Sequence, residues 1–158
     1  MSAAMTIEAV SHIAVGVRDM DVALSFYRDV LGLRVTADKI EEFSQGEGQP
    51  PAKRRAVYLR WVDGPHASFI VLDQQITNDI KGQPAELFQM GVHHFAFWVD
   101  DLDAMMQRVR DAGVAVVLGG GDGPGADTTM YGEPPGGFVR SAFLRDPEGN
   151  YVQLDQRA

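Results

Sequence analysis

Apolar and polar residues alternate in the same way at two places in the chain, and each time the alternation gives way to helical spacing. The runs HIAVGV (residues 12–17) and HFAFWV (residues 94–99) are rich in β-branched and aromatic residues and predict short strands. Each is followed by an aspartate, Asp19 or Asp101, placed to cap a helix. The apolar positions behind them recur at helical spacing: Met20, Ala23, Tyr27 and Val30 in the first, Leu102, Met105, Val109 and Ala112 in the second. Gly32 and Gly113 suit the turns that end those helices. Three further apolar runs then predict strands over residues 35–40, 57–62 and 67–72 in the first half, and 114–118, 139–144 and 151–154 in the second. The order is βαβββ, twice.

The repetition reaches individual residues. SHIAVGVRDMDVALSFYRD from Ser11 aligns with HHFAFWVDDLDAMMQRVRD from His93, setting His12 on His94 at an offset of 94 − 12 = 82. Asp19 falls on Asp101, Asp21 on Asp103 and Arg28 on Arg110 at the same offset, and SFIVLDQ from Ser68 falls on NYVQLDQ from Asn150. One offset at both ends of dissimilar loops implies a duplicated module.

Strand alternation places His12, Ala14 and Gly16 on one face and Ile13, Val15 and Val17, which must pack on the helix, on the other. By the same parity His94, Ala96 and Trp98 face away from the second helix, so His94 is the equivalent of His12, while His93 points elsewhere and reads as a strand-edge residue. In the last strands Val71 and Gln153 are equivalent. Asp73 and Asp155 follow two residues later, roughly 7 Å along the strand, and read as solvated strand ends, with a place near the cleft as the alternative. Residues 41–55 and 119–137 read as Gly/Pro-rich loops at a pocket edge. The second lacks the Gly-Lys-Ser/Thr ending of a phosphate loop. Lys53, Arg54 and Arg55 read as a solvated basic run, and residues 74–90 as a linker with a short helical turn over 85–90.

Composition narrows the function classes. A chain of 158 residues with 45% hydrophobic content can bury the core of one domain or two small fused modules. No apolar window is long enough to span a bilayer and the N-terminus lacks a basic start, so a cytoplasmic protein without a signal peptide is expected. A formal charge of −8 argues against nucleic acid and anionic membrane as partners. With no cysteine, any metal site must be built from His, Asp, Glu, Gln or Asn.

The paired modules, the histidine at the head of each first strand, FYRDVLGL (residues 26–33) and DPEGNYVQL (residues 146–154) resemble the vicinal oxygen chelate superfamily. That group includes glyoxalase I, methylmalonyl-CoA epimerase, extradiol dioxygenases and the fosfomycin and bleomycin resistance proteins. The resemblance implies an α+β fold of two tandem βαβββ modules whose curved mixed sheets enclose a cleft. It also implies a divalent metal held by up to four residues, which carry over to His12, Val71, His94 and Gln153. Valine cannot coordinate, which leaves His12, His94 and Gln153. Three neutral ligands favour Fe²⁺, Zn²⁺, Ni²⁺ or Co²⁺ over Mg²⁺. A homodimer is expected from the same resemblance.

Trp98, Trp61, Tyr58 and Met90 are candidates for an apolar pocket wall, and Arg140 and Arg145 for pairing with an anionic group of a ligand, against surface ion pairs as the alternative. Three functions follow. The first is a metal-dependent enzyme on a small oxygenated molecule, of dioxygenase or glyoxalase-like lyase type, although the carboxylate base that such chemistry uses is missing at position 153. The second is a metal-free protein that sequesters a small apolar compound, as bleomycin resistance proteins do. The third, a transferase of the fosfomycin-resistance kind, lacks a matching thiol- or phosphonate-binding motif.

Overall fold

The computed structural model describes residues 6–121, 128–129 and 138–157. The chain divides between Ile80 and Lys81 into two compact units.

The first unit runs β1 (His12–Gly16), α1 (Met20–Leu24) continuing into a π-helical segment (Ser25–Val30), then β2 (Arg34–Phe43), β3 (Ala52–Arg60) and β4 (Phe69–Gln75). Its sheet has the order β1-β4-β3-β2, with β1 parallel to β4 and the remaining pairs antiparallel. Val15, Val57, Leu59, Ile70 and Leu72 are buried on one face, and Met20, Ala23, Leu24, Phe26 and Tyr27 of the helix are buried with them. Asp19 caps the helix by accepting from the backbone N–H groups of Asp21 and Val22 at 3.0 and 3.1 Å.

The helix departs from the regular one that the spacing predicts. The Leu31 N–H bonds to the carbonyl of Phe26, five residues back, at 2.9 Å. Consecutive residues on an α-helix point about 100° apart, yet Phe26 and Tyr27 are both buried, their rings edge to face at 4.9 Å. The wider π turn accommodates this pair. Gly32, at φ 79°, ends the segment in the left-handed conformation that glycine adopts most readily.

The second unit runs β5 (His94–Trp98), α2 (Leu102–Asp111), β6 (Val116–Gly119), β7 (Thr128–Thr129), β8 (Val139–Arg145) and β9 (Tyr151–Arg157). Its sheet has the order β5-β9-β8-β6 with β7 also paired to β8, and β5 is parallel to β9. Asp101 caps α2 through the Ala104 N–H at 2.9 Å, and Leu102, Met106 and Val109 pack under the sheet with Ala142, Leu144, Val152 and Leu154. The twofold βαβββ order of the sequence is therefore the fold, with β7 as an added short strand.

Three sequence expectations change. The loop expected over residues 41–55 is shorter, because β2 continues to Phe43 and β3 begins at Ala52. The basic run Lys53 to Arg55 thus lies in a strand, where the carboxylates of Glu42, Glu41, Asp73, Asp38 and Asp21 pair with it. Residues 85–90 form a tight turn rather than a helical one, closed by Gln89 N–H to the Glu86 carbonyl at 3.3 Å, with Phe88 at φ 68°. Of the loop expected over 119–137, Gly119 closes β6 and Thr128 and Thr129 form β7, while residues 122–127 and 130–137 lie outside the described residues.

Candidate functional site

Strand register assembles a face in each unit on the side away from the helix. In the first unit His12 pairs with Phe69, Ala14 with Val71 and Gly16 with Asp73 across β1 and β4, and Tyr58 of β3 pairs with Val71. The His12 ring stacks on Phe69, with centroids 5.0 Å apart and planes within 11°, and Tyr58 lies 5.6 Å from the same ring. Val71, at the carried-over ligand position, is a buried aliphatic side chain.

Farther along this face a charge network crosses three strands. Arg54 donates to Glu41 Oε2 at 2.7 and 3.0 Å and also to Asp73, while Tyr58 donates to Glu41 Oε1 at 2.8 Å and Lys39 pairs with that oxygen at 2.9 Å. Lys39, Arg54 and Tyr58 together hold the Glu41 carboxyl down to about 2. Tyr58, a pocket-wall candidate, is thus a hydrogen-bond partner of a carboxylate, and Asp73 is an ion-paired residue rather than a solvated strand end.

In the second unit His94 pairs with Tyr151, Ala96 with Gln153 and Trp98 with Asp155. His94 Nδ1 lies 2.8 Å from Nδ1 of His93, so His93 is turned onto its neighbour and one of the two rings donates to the other. On its other side His94 meets Phe143 edge to face at 5.2 Å. Burial holds the His94 pKa below its ordinary value, His93 lowers it further and Asp155 opposes them. Gln153 is 4% exposed and donates through Nε2 to Asp155 Oδ1 at 2.7 Å, an oxygen that also accepts from Ser141 at 2.6 Å. Asp155 itself is 3% exposed, which corrects its reading as a solvated strand end.

The other candidates differ in exposure and in partners. Trp98 shares the face of His94 and Gln153, half-exposed under the Arg157 guanidinium at 4.0 Å. Met90 is 99% exposed in the stretch leading to β5, and Trp61 is exposed just past β3. Arg140 lies on the helix side, 6% exposed, donating to Asp103 at 2.6 Å and to the Gly121 carbonyl at 3.0 Å. Arg145 pairs with Glu86 at 3.3 Å and donates to the Gly149 carbonyl at 2.8 Å.

Sequence reasoning passed over Ser141 and favoured a solvated strand end for Asp155. Both places were within reach, because the turn that links β8 and β9 is written in the sequence. Asp146 accepts from the backbone of Asn150 at 2.8 Å and from its side chain at 2.9 Å. That turn sets Ser141 opposite Asp155.

Divalent metals are common in proteins that resemble this one, so the donor set bears directly on whether an ion fits. Catalytic sites ordinarily supply three protein ligands. The first unit offers one imidazole, beside Phe69, on a face whose carboxylates Glu41 and Asp73 are taken up by Arg54, and the second offers one imidazole, the Asp155 carboxylate engaged by Ser141 and Gln153, and the oxygen of the Gln153 amide. Among the described residues no three His, Asp or Glu side chains come together as a metal-holding group. Neither unit by itself, among the described residues, supplies the three donors that a catalytic ion ordinarily takes.

A family model for the Glyoxalase/Bleomycin resistance protein/Dioxygenase superfamily matches residues 9–154. A lactoylglutathione lyase of Haemophilus influenzae is 28% identical over 143 residues, covering 90% of this chain and 88% of its own. Among solved structures, a glyoxalase family protein from Bacillus cereus superposes with a TM-score of 0.67 at 19% identity, covering 99% of each chain. An antibiotic binding protein from a Streptomyces species superposes at 0.56 with 25% identity, covering 98% of this chain and 100% of its own. With two βαβββ units and a family match over nearly its whole length, the chain belongs to the glyoxalase/bleomycin resistance/dioxygenase superfamily.

Proposed function

We propose that this protein binds a small, planar, largely apolar organic molecule without a resident metal ion, on the sheet face of a βαβββ unit, headed by His12 in the first unit and by His94 in the second. The observation that carries this reading is the pair of residues at the carried-over ligand positions of the last strands: Val71 has no donor atom, and the Gln153 amide nitrogen is bonded to Asp155. Around them the faces offer rings, His12 on Phe69 and His94 beside Phe143, suited to stacking a flat ligand. Burial favours a neutral His94, which hydrogen-bonds a ligand without bringing a charge.

Acid–base chemistry has less support. Proton abstraction near neutral pH needs a base with a pKa close to that pH. Glu41, at about 2, is far too weak, and Asp73 and Asp155 are engaged by Arg54 and by Ser141 and Gln153. The likeness to an antibiotic binding protein points the same way, while the likeness to a lactoylglutathione lyase favours the enzymatic alternative.

Calorimetric titration of EDTA-treated, desalted protein with a panel of planar aromatic compounds tests this reading. We expect 1:1 binding of at least one class with a dissociation constant of order micromolar, unchanged by added Zn²⁺ or Co²⁺. Binding that appears only after metal is added would return the metal-dependent reading, with His12, His94 and Gln153 as ligands.

A further inference from the structure

The two units repeat a three-residue arrangement at the head of the sheet, and one copy lacks a counter-charge. In the second unit, His94, Tyr151 and Arg145 stand side by side on β5, β9 and β8, with the Arg145 guanidinium 4.1 Å from the Tyr151 ring centroid. In the first unit the same places on β1, β4 and β3 are held by His12, Phe69 and Arg60. Arg60 follows Leu59, whose partner is Ile70, and its guanidinium lies 4.6 Å from the Phe69 ring centroid.

The partners differ. Arg145 is bonded to the Gly149 carbonyl, the Tyr151 hydroxyl and the Glu86 carboxylate. Phe69 carries no hydroxyl, and among the described residues no carboxylate or carbonyl takes the guanidinium of Arg60. Its cross-strand neighbour Arg34 is itself paired with Asp63 at 2.6 Å. Farther down the face, the charges of Lys39 and Arg54 balance those of Glu41 and Asp73. A half-buried guanidinium over an aromatic ring, with no anion of its own, is a site for an anion supplied from outside.

We propose that Arg60 anchors a carboxylate, so that the ligand of this face is a planar aromatic or conjugated acid; this rests on the binding reading above and names its ligand class. The guanidinium fork matches the two oxygens of a carboxylate. Stacked His12 and Phe69, with Tyr58 at 5.6 Å, form the surface on which the flat body of the acid lies.

The test is a fluorescence and calorimetric titration with 2-naphthoate, its neutral analogue 2-naphthamide, and 2-naphthyl phosphate, on the parent, Arg60→Gln and Arg60→Lys, each checked for an unchanged melting temperature. The parent should prefer naphthoate to naphthamide by about tenfold. Arg60→Gln should lose that preference while its naphthamide affinity stays constant, and Arg60→Lys should recover part of it. Equal binding of acid and amide by the parent, or equal weakening of both by Arg60→Gln, overturns the anchor and leaves the binding reading standing. A tenfold preference for the phosphate overturns the carboxylate assignment. Binding of none of the three overturns this proposal together with the reading it rests on.

Discussion

Gln153 Nε2 lies 2.7 Å from Asp155 Oδ1 on one face of β9, and both side chains are buried. The amide at this position therefore has a structural partner of its own, and a carboxylate there would meet another carboxylate. Gln153→Glu should cost about 2–4 kcal/mol near neutral pH. Each carboxyl of such a pair has its folded pKa raised, so the loss should be largest at neutral pH and shrink as the pH falls towards the ordinary carboxylate range. Thermal unfolding of parent and variant from pH 4 to pH 8 checks this; a variant as stable as the parent at pH 7 contradicts it.

Glu41 gives the opposite pH dependence. Its folded pKa, about 2, is below the ordinary value of 4.5, so the stability it contributes is fully present above 4.5 and is lost as the pH falls through about 2. Glu41→Gln should remove that part of the acid sensitivity, giving a flatter melting temperature between pH 4.5 and 2 than the parent shows. Parallel curves would contradict the network of Lys39, Arg54 and Tyr58 around it.

The fold was legible because duplication and parity both act locally. The 82-residue offset and the two N-caps mark the modules, and the period of two along His12 to Val17 separates the face from the core. The site was less legible, because it depends on which strands are neighbours. Asp155 looked solvated two residues beyond Gln153, yet β8 lies beside it and supplies Ser141. Arg140, beside the penultimate strand, stood as a candidate for a ligand's anion, with a surface ion pair as the alternative. Its parity with Ala142 and Leu144 puts it on the helix side, where Asp103 of α2 meets it. Long-range ion pairs such as Arg54 with Asp73 leave no mark in local spacing.

Arg140→Met should accordingly destabilise the second unit by about 2 kcal/mol, since it leaves the Gly121 carbonyl and the Asp103 carboxylate without this donor. Ligand affinity at 25 °C should be unchanged. Calorimetric titration alongside thermal unfolding separates the two effects, and lost affinity without lost stability would move Arg140 to the ligand.

Asp19→Ala and Asp101→Ala should each cost about 1 kcal/mol, the usual worth of an N-cap. Urea unfolding of the two single variants and the double variant measures this, and no change in either midpoint would contradict the capping geometry.

Ile7, Val10, Phe88, Met90 and Val92, in the stretches leading to β1 and β5, are all exposed, Phe88 at 88%. Exposed apolar residues gain by being covered, and we expect a homodimer of twice the 17.3 kDa chain mass. Light scattering at micromolar concentration that gives a single chain mass would contradict this.

Whether this chain works without a resident metal is decided by the melting temperature of EDTA-treated protein with saturating Zn²⁺, Ni²⁺, Co²⁺ and anaerobic Fe²⁺. An ion present at 100 times its dissociation constant would stabilise the fold by about 2.7 kcal/mol, a rise of roughly 5–10 °C for a chain of this size. No rise is expected with any of the four. A rise of that size that disappears in both His12→Ala and His94→Ala would contradict it.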